Sequence, residues 1–157
     1  MKRLPLLLMC LLPGLAHALE PGDRLAPWTL LDQHEQPYSL TPETRLLLVA
    51  RDMEGAKLVK AALAGQPAGY LEARSAVFVA DIERMPAVIS TLFAIPAMRD
   101  YTYRVMLDRQ GRVVERYEVP DASVRLMRLE HGTLVAQDTY VEAQALKRAL
   151  DASPASP

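Results

Sequence analysis

The chain runs to 157 residues, 50% of them hydrophobic, with 18 lysines and arginines against 19 aspartates and glutamates. Such a length buries one domain's core without staples. The balanced charge excludes a nucleic-acid surface, because the arginines between 104 and 128 alternate with Asp108, Glu115, Glu118 and Asp121. A basic stripe would need a one-sided excess.

The N-terminus reads MKRLPLLLMCLLPGLAHALEPGD. Lys2 and Arg3 form a basic start, residues 4–15 an apolar run, and Ala16-His17-Ala18 a small-x-small cleavage site. That is the order of a secretory signal peptide, and the run is too short to cross a membrane. Residues 1–18 are therefore expected to be removed, leaving an exported, periplasmic chain with no membrane span. Cys10 is the only cysteine. Met9 precedes it where a lipoprotein signal wants a small residue, so Cys10 is expected to leave with the signal. The mature chain then has no thiol for a disulfide, a nucleophile or a thiolate metal site.

Residues 19–152 read as the folded domain. Short strands at 28–31 and 38–40 flank a polar turn at 32–36. LLLVA, residues 46–50, is a continuous apolar run, the mark of a strand covered on both faces. A helix over 55–64 follows, with Leu58, Ala61, Ala62 and Leu63 on one face and Gly65 as its stop. AVFVADI, residues 76–82, is a further buried strand. Pro86 suits the first turn of a helix whose apolar face would be Val88, Ile89, Leu92 and Phe93, and which Pro96 ends or kinks.

Two hairpins are predicted next: 103–108 with 112–119 around Arg109-Gln110-Gly111, and 124–130 with 133–137 around His131-Gly132. Glycine supplies the positive backbone angle such turns demand. Thr139 with Glu142 makes a capping box for a last helix over 140–152. The tail SPASP, residues 153–157, has a disordered composition. The order predicts an α/β domain: a mixed central sheet with helices on both faces, an N-terminal strand pair, and a C-terminal hairpin plus helix.

This order, with the phrases PGDRLAPWTLLDQHEQPYSL and VRLMRLEHGTLVAQDTYVEAQALKRAL, resembles the thioredoxin fold in its peroxiredoxin-like (alkyl hydroperoxide reductase and thiol-specific antioxidant) form. The former phrase is similar to that group's entry, a Gly-Asp-x-x-x-Pro turn at 22–27 leading to an Asp-Gln turn. The latter is similar to its final hairpin and helix. The two strand–turn–Gly–strand units also resemble small YtfJ-type periplasmic thioredoxin-like proteins. In redox-active relatives the strand at 46–50 would run into Ala-x-x-Cys-x-x-Cys-Lys, with a thiolate at the helix N-terminus. Here Met53 and Ala56 stand at the two cysteine positions. The resemblance also implies a cis-proline just before the final hairpin, where this chain has Asp121-Ala122-Ser123, with Pro120 slightly early. Thiol chemistry is excluded, and no catalytic residue is assigned.

Two stretches remain as a ligand or partner surface. Arg51, Asp52, Met53 and Glu54 lie at a strand-to-helix junction, where they either bind a small polar ligand or only cap the helix and complement its dipole. Met98, Arg99, Asp100, Tyr101 and Tyr103, with Met85, mix apolar and hydrogen-bonding groups suited to a pocket or partner surface, or form a core helix and a polar turn with Arg99 and Asp100 paired locally. No metal site is expected, since Met53, Met85, Met98, Met106 and Met127 form no Met-x-Met cluster and only His34 and His131 accompany them. No cofactor is expected either: no Gly-x-Gly-x-x-Gly loop and no nucleophile elbow occur. The sequence points to a non-catalytic binding or accessory module, and the resemblance to thioredoxin-like folds implies a protein partner. The alternative is a small-molecule or cofactor-binding accessory in which the ligand supplies the chemistry.

Overall fold

The computed structural model describes residues 17–155. Most of the predicted signal, residues 1–16, and the last two residues of the predicted tail lie outside the described residues. Strands β1 (Thr29–Asp32), β2 (Pro37–Ser39), β3 (Leu46–Ala50), β4 (Ala76–Asp81), β5 (Met106–Asp108), β6 (Val124–Glu130) and β7 (Thr133–Tyr140) form one sheet in the order β2-β1-β5-β4-β3-β6-β7. β3, β4 and β5 run parallel, and both edges are antiparallel. The strand pair, the two central strands and the β6–β7 hairpin fall close to where the sequence places them.

The central strands are apolar on both faces because both faces are covered. Leu46, Leu48, Ala50, Phe78 and Leu126 point to one core, with α1 (Met53–Ala62) and α4 (Ala143–Asp151) over it. Leu47, Val49, Val77, Val79 and Met127 point to the other. That opposite face is covered by the N-terminal segment and a short 3-10 helix, Val114–Tyr117. Period-two alternation of fully buried side chains is what a doubly covered strand requires. α1 buries Gly55, Val59 and Ala62 and leaves Ala61 exposed, so Val59 takes the core place expected for Ala61.

Three sequence expectations fail for identifiable reasons. Residues 112–119 are not a hairpin strand. β5 pairs with β4 and β1 instead, and the buried Asp108 carboxylate accepts the Val113 and Val114 amides, each at 2.8 Å. This cap turns the chain into the 3-10 helix and drives Val113, Val114 and Tyr117 under Trp28, whose indole N–H donates to the Tyr117 hydroxyl at 2.8 Å. The capping box is also not formed. β7 continues to Tyr140, holding Thr139 in the ladder opposite Arg125, and α4 starts without a side-chain cap.

The third concerns the helix after Pro86. Val88, Leu92 and Phe93 are 64%, 62% and 64% exposed, and Ile89 is exposed with them. Between α2 (Ala87–Ile89) and α3 (Ile95–Met98) the backbone makes a π-helical turn, Ser90–Ala94. Its wider winding shifts the helical phase, so Ser90 and Ile95 face inward while the predicted apolar face points out to solvent. No described helix is long and apolar enough to cross a membrane.

Candidate functional site

β3 ends at Ala50 and α1 begins at Met53, so residues 51–54 stand at the C-terminal end of the parallel strands, where α/β sheets commonly place ligands. Asp52 is the helix N-cap: its Oδ1 accepts the Gly55 amide at 2.8 Å. Its Oδ2 accepts the Ala122 amide at 2.7 Å. One carboxylate thus caps α1 and ties loop 120–123 to it. Gly55 makes the approach possible, since a Cβ there would lie 2.3 Å from the Ser123 carbonyl oxygen. Ser123 is buried, and its hydroxyl donates to the Pro120 carbonyl at 2.6 Å. No cis peptide bond occurs among the described residues. Asp52 therefore caps α1, and it also stands in the lining of the pocket between α1, α3 and β4.

Arg51 turns away from α1. It pairs with Asp121 at 3.5 Å and borders a polar cleft with Asp81, Glu83 and Glu118. In that cleft burial, together with the like charges of Asp108 and Glu83, pushes the Asp81 carboxyl above its ordinary value. Glu54 is exposed and bonded to Lys57 at 2.7 Å. Arg99 does not pair with Asp100; its Nε donates to the Gln33 carbonyl at 3.1 Å, and Asp100 is left exposed.

The remaining predicted residues converge. Met53, Met98, Tyr101 and Tyr103 line one open pocket of about 230 Å³ between α1, α3 and β4, with Phe78 and Met85 among its walls. Lys60 holds its ammonium 5.2 Å over the Tyr101 ring, a cation–π contact. Tyr101 and Tyr103 stack at 5.0 Å, and Phe78 lies 6.4 Å from Tyr103. The Tyr103 hydroxyl is buried without a partner, and desolvation, then the neighbouring Tyr101, pushes its pKa well above the ordinary phenol value. Three flexible thioethers and an aromatic wall suit varied apolar guests.

Gln33 sets this wall, and the sequence does not single it out. Its side-chain amide donates to the Tyr103 carbonyl at 2.8 Å and more loosely to that of Met98, while its Oε1 accepts the Val105 amide at 2.8 Å. It is 1% exposed. A glutamine in a polar turn carries no periodicity signal. Only the distant backbone that it satisfies reveals its role.

A helix leaving the C-terminal end of β3, a parallel β3–β4 pair and a terminal antiparallel hairpin with its helix define the thioredoxin-like fold. Comparison with solved structures agrees. The chain is similar to one described as the thiol:disulfide interchange protein DsbE of Chlorobium tepidum, with TM-score 0.58 and 16% identity, covering 87% of this chain and 99% of that one. It is similar to the peroxidoxin BcpB of Mycobacterium tuberculosis, with TM-score 0.56 and 17% identity over 85% and 97% of the two chains. It is also similar to the thioredoxin domain of a thiol-disulfide oxidoreductase from Bacteroides vulgatus, with TM-score 0.54 and 17% identity over 86% and 98%. These likenesses establish the fold. No protein-family model and no curated protein matches the chain.

Proposed function

We propose that this chain is an exported, periplasmic thioredoxin-like binding module without catalysis, which docks a partner polypeptide by one apolar side chain. The observation that carries the reading is the open pocket where Met53, Met85, Met98 and Tyr101 meet beside an uncharged, exposed helical surface. Contiguous exposed apolar surface marks interaction sites, and Met, Phe, Tyr and Arg are the side chains enriched in protein interfaces. Export rests on the signal-like N-terminus. The absence of catalysis rests on Met53 and Ala56 at the two thiol positions.

Size supports a polypeptide anchor over a cofactor. Pockets for drug-sized ligands run from about 300 to 1,000 Å³, whereas an apolar cavity of about 150 Å³ takes a single benzene ring. At about 230 Å³ this pocket suits a leucine, methionine or phenylalanine side chain. The test is selection from a random peptide library on the mature protein. The expected result is a set of peptides sharing one large apolar residue, whose binding is lost in Ala97→Phe, a variant that fills the pocket, with an unchanged melting temperature. Peptides without a common apolar anchor, or full binding by Ala97→Phe, would overturn the reading.

A further inference from the structure

At the other end of β3, far along the strand from the pocket at α1, three arginines from three elements line one concavity. Arg45 precedes β3, Arg74 ends the 3-10 helix Glu72–Arg74, and Arg128 lies on β6. We propose that this is a binding site for a phosphate-bearing small molecule, independent of the polypeptide site.

The argument begins with charge. The concavity, about 270 Å³, includes one carboxylate, Glu130, against the three guanidinium groups. Its lining also includes the apolar Leu46, Leu129 and Val135. In a chain of formal net charge −1 this is a local positive excess in a concave site, the arrangement that focuses field on an anion.

Arg74 is prepositioned. Its guanidinium lies 3.8 Å from the Tyr70 ring centroid, its Nε donates to the Leu150 carbonyl at 3.1 Å, and its Nη1 donates to the Tyr70 carbonyl at 3.2 Å. The other two arginines are under-used. Arg45 makes no ion pair among the described residues. The one ion pair of Arg128 among them, to Asp138, is long at 3.8 Å, with both side chains about half exposed. Planar guanidinium forks match phosphate oxygens in pairs. Two loosely held arginines that share a concavity with one fixed arginine can therefore take a phosphate without breaking a strong internal bond.

The test uses inorganic pyrophosphate and inorganic phosphate as probes on the mature protein, followed by calorimetry and by amide chemical shifts. The expected result is saturable one-to-one binding of pyrophosphate that weakens as sodium chloride rises. Arg45→Ala and Arg128→Ala should each weaken it at least ~10-fold, about 1.4 kcal/mol, and Arg45→Lys should restore part of the loss. Arg74 is left intact because it also holds α4. Circular dichroism and melting of both variants should match the parent, so that lost binding reports the site and not the fold. Non-saturating shifts, or equal affinity in the alanine variants, would overturn the proposal. So would binding to phosphatidylglycerol vesicles over phosphatidylcholine vesicles with no response to pyrophosphate, which would assign the arginines to a lipid surface. Failure here leaves peptide selection at α1 unaffected, and the reverse also holds.

Discussion

The two helical segments that follow β3 and β4 obey opposite rules. α1 follows the amphipathic pattern: Val59 and Ala62 are buried, its N-cap is satisfied, and Gly55 fits against the Ser123 carbonyl. The α2–α3 segment carries no charge from Pro86 to Met98, yet turns Val88, Leu92 and Phe93 to solvent. A sequence shaped by stability alone buries such residues, each worth about 1.5–3 kcal/mol when removed from water. The difference teaches that α1 spends its apolar face on the core, while α2–α3 leaves much of its own exposed.

The contrast breaks most visibly at Gln33. Gln33→Leu strands the Val105 amide and the Tyr103 carbonyl in the interior, at about 1–3 kcal/mol for each unsatisfied group. Urea unfolding should show a total loss of about 3–5 kcal/mol, together with loss of peptide binding as the 98–105 wall shifts. Gly55→Ala comes next. Its Cβ must displace backbone at Ser123, and an overpacked core contact of this kind costs about 1–3 kcal/mol. Asp52→Ala removes the N-cap and the tether to Ala122, for about 1–2 kcal/mol by the same unfolding measurement.

Acid probes a separate buried group, Asp32 at the end of β1. Burial acts to raise the pKa of Asp32, but the Gln36 amide, the Arg104 guanidinium and the His34 amide outweigh it and hold the carboxyl below its ordinary 3.8. Its folded pKa is depressed, so its stabilisation is present above pH 3.8 and is lost as pH falls through the lower folded value. Asp32→Asn should therefore flatten the acid limb of the stability curve, measured by denaturant midpoints from pH 6 downward.

The smallest effect sharpens the comparison from the other side. Leu92→Ser with Phe93→Ser should change stability by no more than about 0.5 kcal/mol for each exposed site. The same pair should weaken peptide binding severalfold. A large stability loss would show that this surface is internal packing and not an open face.

How much of this was legible in the sequence follows from the range of each signal. LLLVA and AVFVADI are local and continuous, and His131-Gly132 has positive φ at both residues, as a two-residue hairpin turn needs. These elements could be read directly. The Gly111 turn was equally visible, but what followed depended on Asp108 bonding forward to Val113 and Val114. The face of α2–α3 depended on a π-helical turn that leaves no periodicity of its own. At the site, the sequence named two stretches and the fold joined part of each: Met53 meets Met98, Tyr101 and Tyr103, while Arg51, Glu54, Arg99 and Asp100 point elsewhere. Gln33 stayed hidden because its partners lie about seventy residues away.

The most direct measurement is the spectrum of ¹³C-methyl methionines during titration with a library-selected peptide. Met53, Met85 and Met98 line the pocket, whereas Met106 and Met127 are buried in the opposite core. The account predicts saturable shifts of the first three methyls with the last two unmoved. Shifts confined to Met106 and Met127, or a bound peptide that moves none of the five, would contradict it.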